Sequence, residues 1–368
     1  MSDNKPVLDP KEQAQKLLEQ KKKENFIKEH KISLQYEEII KNKKEVEALG
    51  SIDITNTTDE YINQIVEKSK KFFQSSKNTM NFINNIPELN NIVPMYAGQI
   101  IGIGAYTGDG KSTACANLLY SLMLQGKRPL LITNEETAEH AIGRVAALIA
   151  DIRYGNHSNM TQENTDKILE LIPKVSKKMA VIDNFYGLMN GAETPDTTTT
   201  IEGVEWVFKR LVEKFATNNE SFDCIVIDYF QNVSSSKLNP ALRNIDVLGR
   251  FTELLERFRN EYPAPVVVFA QMKLYSKDSD EPYSKRIQWC SHLANRTSCF
   301  LEMRSKKSES ATEWVLHKSR FNDYVATSFL TGWEKGRYVP YTEEFKKKQI
   351  DKKLKALDQG KVTDGKKS

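Results

Sequence analysis

Ala105-Tyr106-Thr107-Gly108-Asp109-Gly110-Lys111-Ser112 stands between an apolar run ending at Gly104 and a helix-like run from Thr113 to Leu124. Strand, glycine-bearing turn and helix in that order form a phosphate cradle, because the glycines let successive backbone amides turn inward. Lys111 then reaches the outer phosphates and the Ser112 hydroxyl serves magnesium, while the helix that begins here points the positive end of its dipole at the same place. The nucleotide-binding segment expected from this reading is Ala105, Thr107, Gly108, Asp109, Gly110, Lys111, Ser112 and Thr113. The pattern asks for glycine at its first position, where this chain has Ala105 preceded by Gly104.

Outward from this loop, short runs rich in Ile and Val alternate with longer helical segments. Strands are predicted at Gln99 to Gly104, Pro129 to Thr133, Met179 to Ile182, Cys224 to Ile227, Val266 to Ala270, Cys299 to Met303, Trp314 to Lys318 and Ala326 to Leu330. That alternation predicts an α/β domain with a mostly parallel central sheet flanked by helices. Three strand ends carry chemistry. Cys224 to Ile227 runs into Asp228, placed as a magnesium-ordering carboxylate is in P-loop NTPases. Pro129 to Thr133 runs into Asn134-Glu135-Glu136, and Glu135 is the candidate for orienting and deprotonating water, with Glu136 as the alternative. Val266 to Ala270 ends at Gln271, an uncharged group suited to sensing a γ-phosphate or a bound strand. In an open parallel sheet ligands bind outside the carboxyl ends of the strands, so one crevice can hold Lys111, Glu135, Gln271 and Asp228.

The chain has 368 residues and a formal net charge of +4, enough length for a full core and too little charge to identify a partner. Residues 1–78 read as a polar, partly disordered helical extension, with an apolar helical stripe near 59–75 that includes Tyr61, Ile65 and Phe73. Residues 79–340 form the main domain, and 341–368 read as a basic flexible tail. The four cysteines show no metal-ligand spacing and are expected to be reduced thiols. No apolar run approaches the roughly 18 residues of a bilayer span, so a soluble intracellular protein is expected.

The order of these motifs resembles the RecA-like motor domain of the hexameric DnaB-type replicative helicases of bacteria and their phages, over roughly Thr79 to Leu330. Alanine is usual at the first P-loop position in that family. Asn134-Glu135-Glu136-Thr137-Ala138-Glu139, with Arg144 beyond it, is similar to the family's Ser-Leu-Glu-Met-Pro-Ala-Glu segment, and departs from it at Asn134, Glu136 and Thr137. Ile227-Asp228-Tyr229-Phe230-Gln231 resembles Ile-Asp-Tyr-Leu-Gln, Ala270-Gln271 corresponds to Ser-Gln, and Lys318-Ser319-Arg320 looks like the Lys-x-Arg element. The resemblance implies ATP and Mg2+ as cofactors and a homo-oligomeric, hexameric ring. In it, Lys318 and Arg320 act on the neighbouring subunit's ATP, joining Lys111, Glu135 and Gln271 as catalytic candidates.

It also implies movement along single-stranded DNA, unwinding of forked duplex, a primase or loader as partner, no membrane, and a cytoplasmic setting in a bacterial cell or phage-infected host. Candidate DNA contacts fall on loops after Asp228 and Gln271, at Lys237, Arg243, Lys273, Lys277, Lys285 and Arg286, with Arg296 and Arg304 as weaker ones. The helical stripe near 59–75 packs either on its own domain or, as the family's linker helix, on a neighbour. Two other functions share these motifs: a RecA- or KaiC-like ATPase that unwinds nothing, and a helicase-derived loader or scaffold.

Overall fold

The computed structural model describes residues 66–67, 70, 79–93, 95–155, 160–183, 199–229, 231, 233–235, 244–273, 282–288, 291–320 and 327–358. Contacts divide the chain into Met1–Lys70 and Lys71–Ser368. In the first unit only 66, 67 and 70 are described, all helical, so the extension and most of the stripe near 59–75 lie outside the described residues.

The strands are β1 (Ile100–Ala105), β2 (Pro129–Thr133), β3 (Ala180–Ile182), β4 (Cys224–Asp228), β5 (Val266–Gln271), β6 (Cys299–Lys306), β7 (Ala311–Ser319), β8 (Ser328–Glu334) and β9 (Arg337–Pro340). The helices are α1 (Pro87–Ile92), α2 (Lys111–Leu124), α3 (Ala138–Ile149), α4 (Gln162–Ser176), α5 (Ile201–Asn218), α6 (Asn244–Glu261), α7 (Tyr283–Arg286), α8 (His292–Arg296) and α9 (Glu343–Asp358). Among the described residues the strands make one sheet in the order β3-β2-β4-β5-β1-β6-β7-β8-β9. Pairing is parallel from β3 through β6 and antiparallel from β6 through β9.

The central strands are continuous apolar runs because both of their faces are covered. Along β5, Val267 and Phe269 join a cluster with α1 to α4, while Val266, Val268 and Ala270 join a second cluster with α5, α6 and α8. Strand β4 alternates in the same way, Cys224 and Val226 to one side, Ile225 and Ile227 to the other. Each buried Val, Ile or Phe among them contributes on the order of 1.5–3 kcal/mol by leaving water. The parallel order brings the carboxyl ends of β2, β4, β5 and β1 side by side, and that edge carries the site.

Strands β6 and β7 extend beyond the predicted limits as a hairpin whose outer residues, such as Arg304 and Lys306, are only half-buried and polar. Strand β9 has no counterpart among the predicted strands: its four residues follow a tight turn in which Lys335 (φ 52°) and Gly336 (φ 90°) are both left-handed. This hairpin is fastened to the phosphate helix. Buried Asn117 of α2 donates to Gly336 O at 2.7 Å and accepts from Tyr338 N at 3.0 Å.

The expected tail at 341–368 is corrected in part, since Glu343–Asp358 is helical and residues 359–368 lie outside the described ones. Glu343 and Glu344 favour the helix start, Lys348 and Lys352 pair with Glu334, and Phe345 is 7 % exposed against Gly332. A Cβ on Gly332 would lie 2.6 Å from the Phe345 ring, so Gly332→Ala is expected to destabilise the domain by about 1–3 kcal/mol in denaturant titration. Trimming Phe345 to Leu in the same chain should return part of that loss.

Candidate nucleotide site

Strand β1 ends at Ala105, 1 % exposed, whose methyl packs in the core, so the first loop position is part of the strand rather than of the turn. The turn is closed by Asp109 N donating to Tyr106 O at 3.0 Å. Gly108 (φ 81°) and Gly110 (φ 91°) adopt left-handed backbone, with open space where a Cβ on Gly108 would stand and no more than ordinary contact with Thr113 at Gly110. They are required for conformation and not for room. Helix α2 starts at Lys111 with no side-chain cap, leaving its first amides directed into the turn. The resulting cleft, about 350 Å³, is lined by the loop, Ser112, Thr113, Glu135, Arg144 and Gln271.

Lys111 joins the strand ends. Its ammonium lies 2.6 Å from Glu135 Oε2, 3.2 Å from Asp228 Oδ1 and 3.5 Å from the centre of the Tyr229 ring. The Asp228 contact is ionic without hydrogen-bond geometry, and Oδ2 of this buried carboxylate has no hydrogen-bond partner. Burial pushes the Asp228 carboxyl up to about 6, with Lys111 pulling it down and Glu135 pushing it further up. A buried carboxylate whose Oδ2 has no hydrogen-bond partner, together with the Ser112 hydroxyl that lines the cleft, would suit a magnesium ion. Among the described residues no group of three or more His, Cys, Asp or Glu forms a cage by itself.

The geometry separates Glu135 from Glu136. Thr133 Oγ1 accepts from both amides at 3.3 Å, turning the chain so that Glu135, 44 % exposed in its side chain, faces the cleft. Glu136 is held by Arg144 at 2.8 Å, and Arg144 lies over Tyr154. Asn134 ties β2 to β4, donating from its N to Asp228 O at 3.1 Å and accepting at its side-chain oxygen from Tyr229 N at 3.2 Å. Asp183, just past the end of β3, accepts from Ala138 N at 2.9 Å and so caps α3.

Gln271 Nε2 donates to Thr107 Oγ1 at 2.7 Å, so the end of β5 is linked directly to the loop. The side chain of Gln231, buried, continues the pairing beyond the end of β4: its Oε1 accepts from Gln271 N at 2.9 Å and its Nε2 donates to Gln271 O at 2.9 Å. The sequence motif that contains Gln231 assigns it no role. Its signal there is position alone, three residues past Asp228.

Lys318 and Arg320 do not line this cleft. Lys318 donates to Ala294 O and Asn295 O at 2.8 Å each, and Arg320 to Asn295 O at 2.9 Å, at the end of α8. Burial, then the Arg320 charge, pulls the Lys318 ammonium down to about 8.

Of the candidate DNA contacts, Lys237, Arg243 and Lys277 lie outside the described residues, Lys285 is exposed and Lys273 half-buried. Arg286 is corrected: it is 5 % exposed and paired with Glu302 at 2.9 Å, so its guanidinium faces inward to a carboxylate. Arg296 pairs with Glu256, and Arg304 with Glu302 at 2.7 Å.

A family model described as the DnaB-like helicase C-terminal domain matches residues 83–291. A solved ATPase domain aligns with a TM-score of 0.60 at 13% identity, covering 77% of this chain and 100% of that one. The structure of a DnaB-like replicative helicase and its interactions with primase aligns with a TM-score of 0.58 at 14% identity, covering 82% of this chain and 71% of that one. No curated protein matches the sequence at a significant level.

Because the folded chain holds the Asp228 proton more tightly than the unfolded chain, stability is lost as pH rises from the ordinary carboxylate range through about 6. Asp228→Asn is therefore expected to be more stable than the parent at about pH 8, by something on the order of 1–3 kcal/mol. The gain should vanish near pH 4 in denaturant titrations.

Proposed function

Since the chain belongs to the DnaB-like helicase C-terminal domain family, we propose that it is an ATP-driven motor, using magnesium, that moves along single-stranded DNA as a ring and separates the strands of a fork. The observation that carries this reading is Lys111 between Glu135 and Asp228 at the end of the phosphate loop.

A triphosphate entering the cleft offers Lys111 oxygens in place of the two carboxylates. Released from the ammonium, Glu135 is free to accept the proton of an attacking water, while the loop amides and the α2 terminus hold the phosphates. Ser112 and Asp228 would hold magnesium, which would supply charge neutralisation at the transferred group. Gln271, bonded to Thr107, passes the state of the loop to the segments after β5.

Lys318 and Arg320 stand outside their own cleft, which suits a role at a neighbouring subunit's ATP and makes the ring a requirement for turnover. The loops after Asp228 and Gln271 leave from the same sheet edge. Lys237, Arg243, Lys273, Lys277 and Lys285 on them are suited to tracking phosphates without reading bases. Arg286 leaves that set. A hexamer, a primase or loader as partner, and a cytoplasmic setting in a bacterial or phage-infected cell complete the proposal. Among the described residues no helix is long and apolar enough to cross a membrane.

The test is ATP-dependent unwinding of forked duplex DNA by the purified chain, alongside Lys111→Ala, Glu135→Gln and Arg320→Ala. All three variants should lose unwinding, with hydrolysis down by about 10³-fold or more for Arg320→Ala. Mixing Lys111→Ala with Arg320→Ala subunits should recover part of the hydrolysis, because some interfaces then join an intact loop to an intact arginine. A parent chain that hydrolyses ATP on single-stranded DNA but never opens a fork would replace this reading with a RecA-like ATPase.

A further inference from the structure

Strand β6 lies between the strand that feeds the phosphate loop and the strand that carries Lys318 and runs into Arg320. Its Glu302, opposite Gly104 on one side and Val315 on the other, is fully buried and binds residues from three segments. Arg286 of α7 approaches Oε2 at 2.9 Å and Oε1 at 3.2 Å, Arg304 donates to Oε1 at 2.7 Å, and His317 Nε2 stands 2.6 Å from Oε2. Arg286 also donates to the hydroxyl of Tyr106, the second residue of the phosphate loop, at 3.2 Å. Tyr283, one turn before Arg286, stacks on His317 with 4.8 Å between ring centres and 8° between planes.

His317 is the residue by which β7 slips register. Phe300 pairs with Lys318 and Leu301 with Leu316, so His317 is the extra residue of a β-bulge. A bulge bends its strand and redirects the side chains that follow. Here those side chains are Lys318 and Arg320, and the residue that makes the bend is the one Glu302 and Tyr283 hold.

Stability alone does not account for this cluster. Buried ion pairs of this kind are commonly neutral or unfavourable against apolar packing of equal volume, and Arg286 Nε is buried with no acceptor. What such a network does provide is rigid, all-or-none geometry, because moving one member leaves the others buried and unpaired. Burial works to raise the Glu302 carboxyl, but the hydrogen bonds from His317 and Arg304 and the two guanidinium charges outweigh it and hold the group at about 2, so it stays ionised.

We propose that the Glu302 cluster is a coupling element: through Tyr106, Arg286 and the His317 bulge, the state of one subunit's phosphate loop sets the aim of the Lys318 and Arg320 that the same subunit offers its neighbour. Glu302, Arg286 and His317 are positioning residues and touch no nucleotide. The inference rests on the proposed action of Lys318 and Arg320 in trans.

Steady-state hydrolysis against ATP concentration, with nucleotide affinity measured separately by fluorescent-analogue titration, tests it on the parent, His317→Gln, Tyr106→Phe and Arg320→Ala. The parent should respond to ATP cooperatively. In His317→Gln, kcat should fall about tenfold and the Hill slope should drop toward one, with affinity unchanged; Tyr106→Phe should move both in the same direction by less. A parent without cooperativity, folded variants that keep the parental slope and kcat, or a loss confined to nucleotide affinity each overturns the proposal. If His317→Gln does not fold, Tyr106→Phe, which removes one hydroxyl, decides alone. Full hydrolysis in Arg320→Ala overturns the trans reading first, and the coupling with it; loss in Arg320→Ala with parental behaviour in the other two overturns the coupling only.

Discussion

An ammonium group shared by two carboxylates on adjacent strand ends organises this domain. Lys111 begins α2, Glu135 follows β2 and Asp228 ends β4, and the three meet only because those strands run parallel with their carboxyl ends level. Asp228 is nearly sealed from water, so its charge is costly without a cation beside it, and Lys111 at the first turn of α2 supplies that cation. The sheet order, the left-handed glycines and the packing of α2 against the core all serve that meeting. An arrangement held by opposed charges alone can exchange partners when a polyanion and a divalent cation arrive, which apolar packing cannot do.

The central fold was legible because its residues obey one rule. Strands β1, β2, β4 and β5 are nearly unbroken apolar runs, since both faces are covered, and their predicted limits differ from the structure by a residue at most. The phosphate loop was legible because glycines at fixed positions before a Lys-Ser pair have few other uses. Legibility failed where polar residues hold structure through partners distant in sequence. Strand β9 exists through its turn and through Asn117, 221 residues earlier than Tyr338, and α9 through Phe345 and Glu334. Local composition shows neither.

Arg286 illustrates the same limit at the site. Within the sequence it is one more cation in a loop, next to Lys285, and composition assigns both to a phosphate track. The fold divides them: Lys285 is exposed, whereas Arg286 turns inward to a carboxylate sixteen residues later. Charge read along a chain reports the number of cations and not their direction. Glu135 and Glu136 differ in the same way, one facing the cleft and the other bound to Arg144.

The clasp between Asn117 and the last hairpin bears on how much of the chain makes one foldable unit. The matched family region stops at residue 291, yet a buried amide within the phosphate helix takes its partners from Gly336 and Tyr338. A fragment cut at the matched boundary would leave that amide only its bond to Thr113 O within α2, and its side-chain oxygen would lose Tyr338 N, at a cost of about 1–3 kcal/mol. It would also remove β6, the strand that pairs with β1 on the side away from β5. The smallest autonomous piece is therefore longer than the recognisable one, and fragments for expression should run past residue 340.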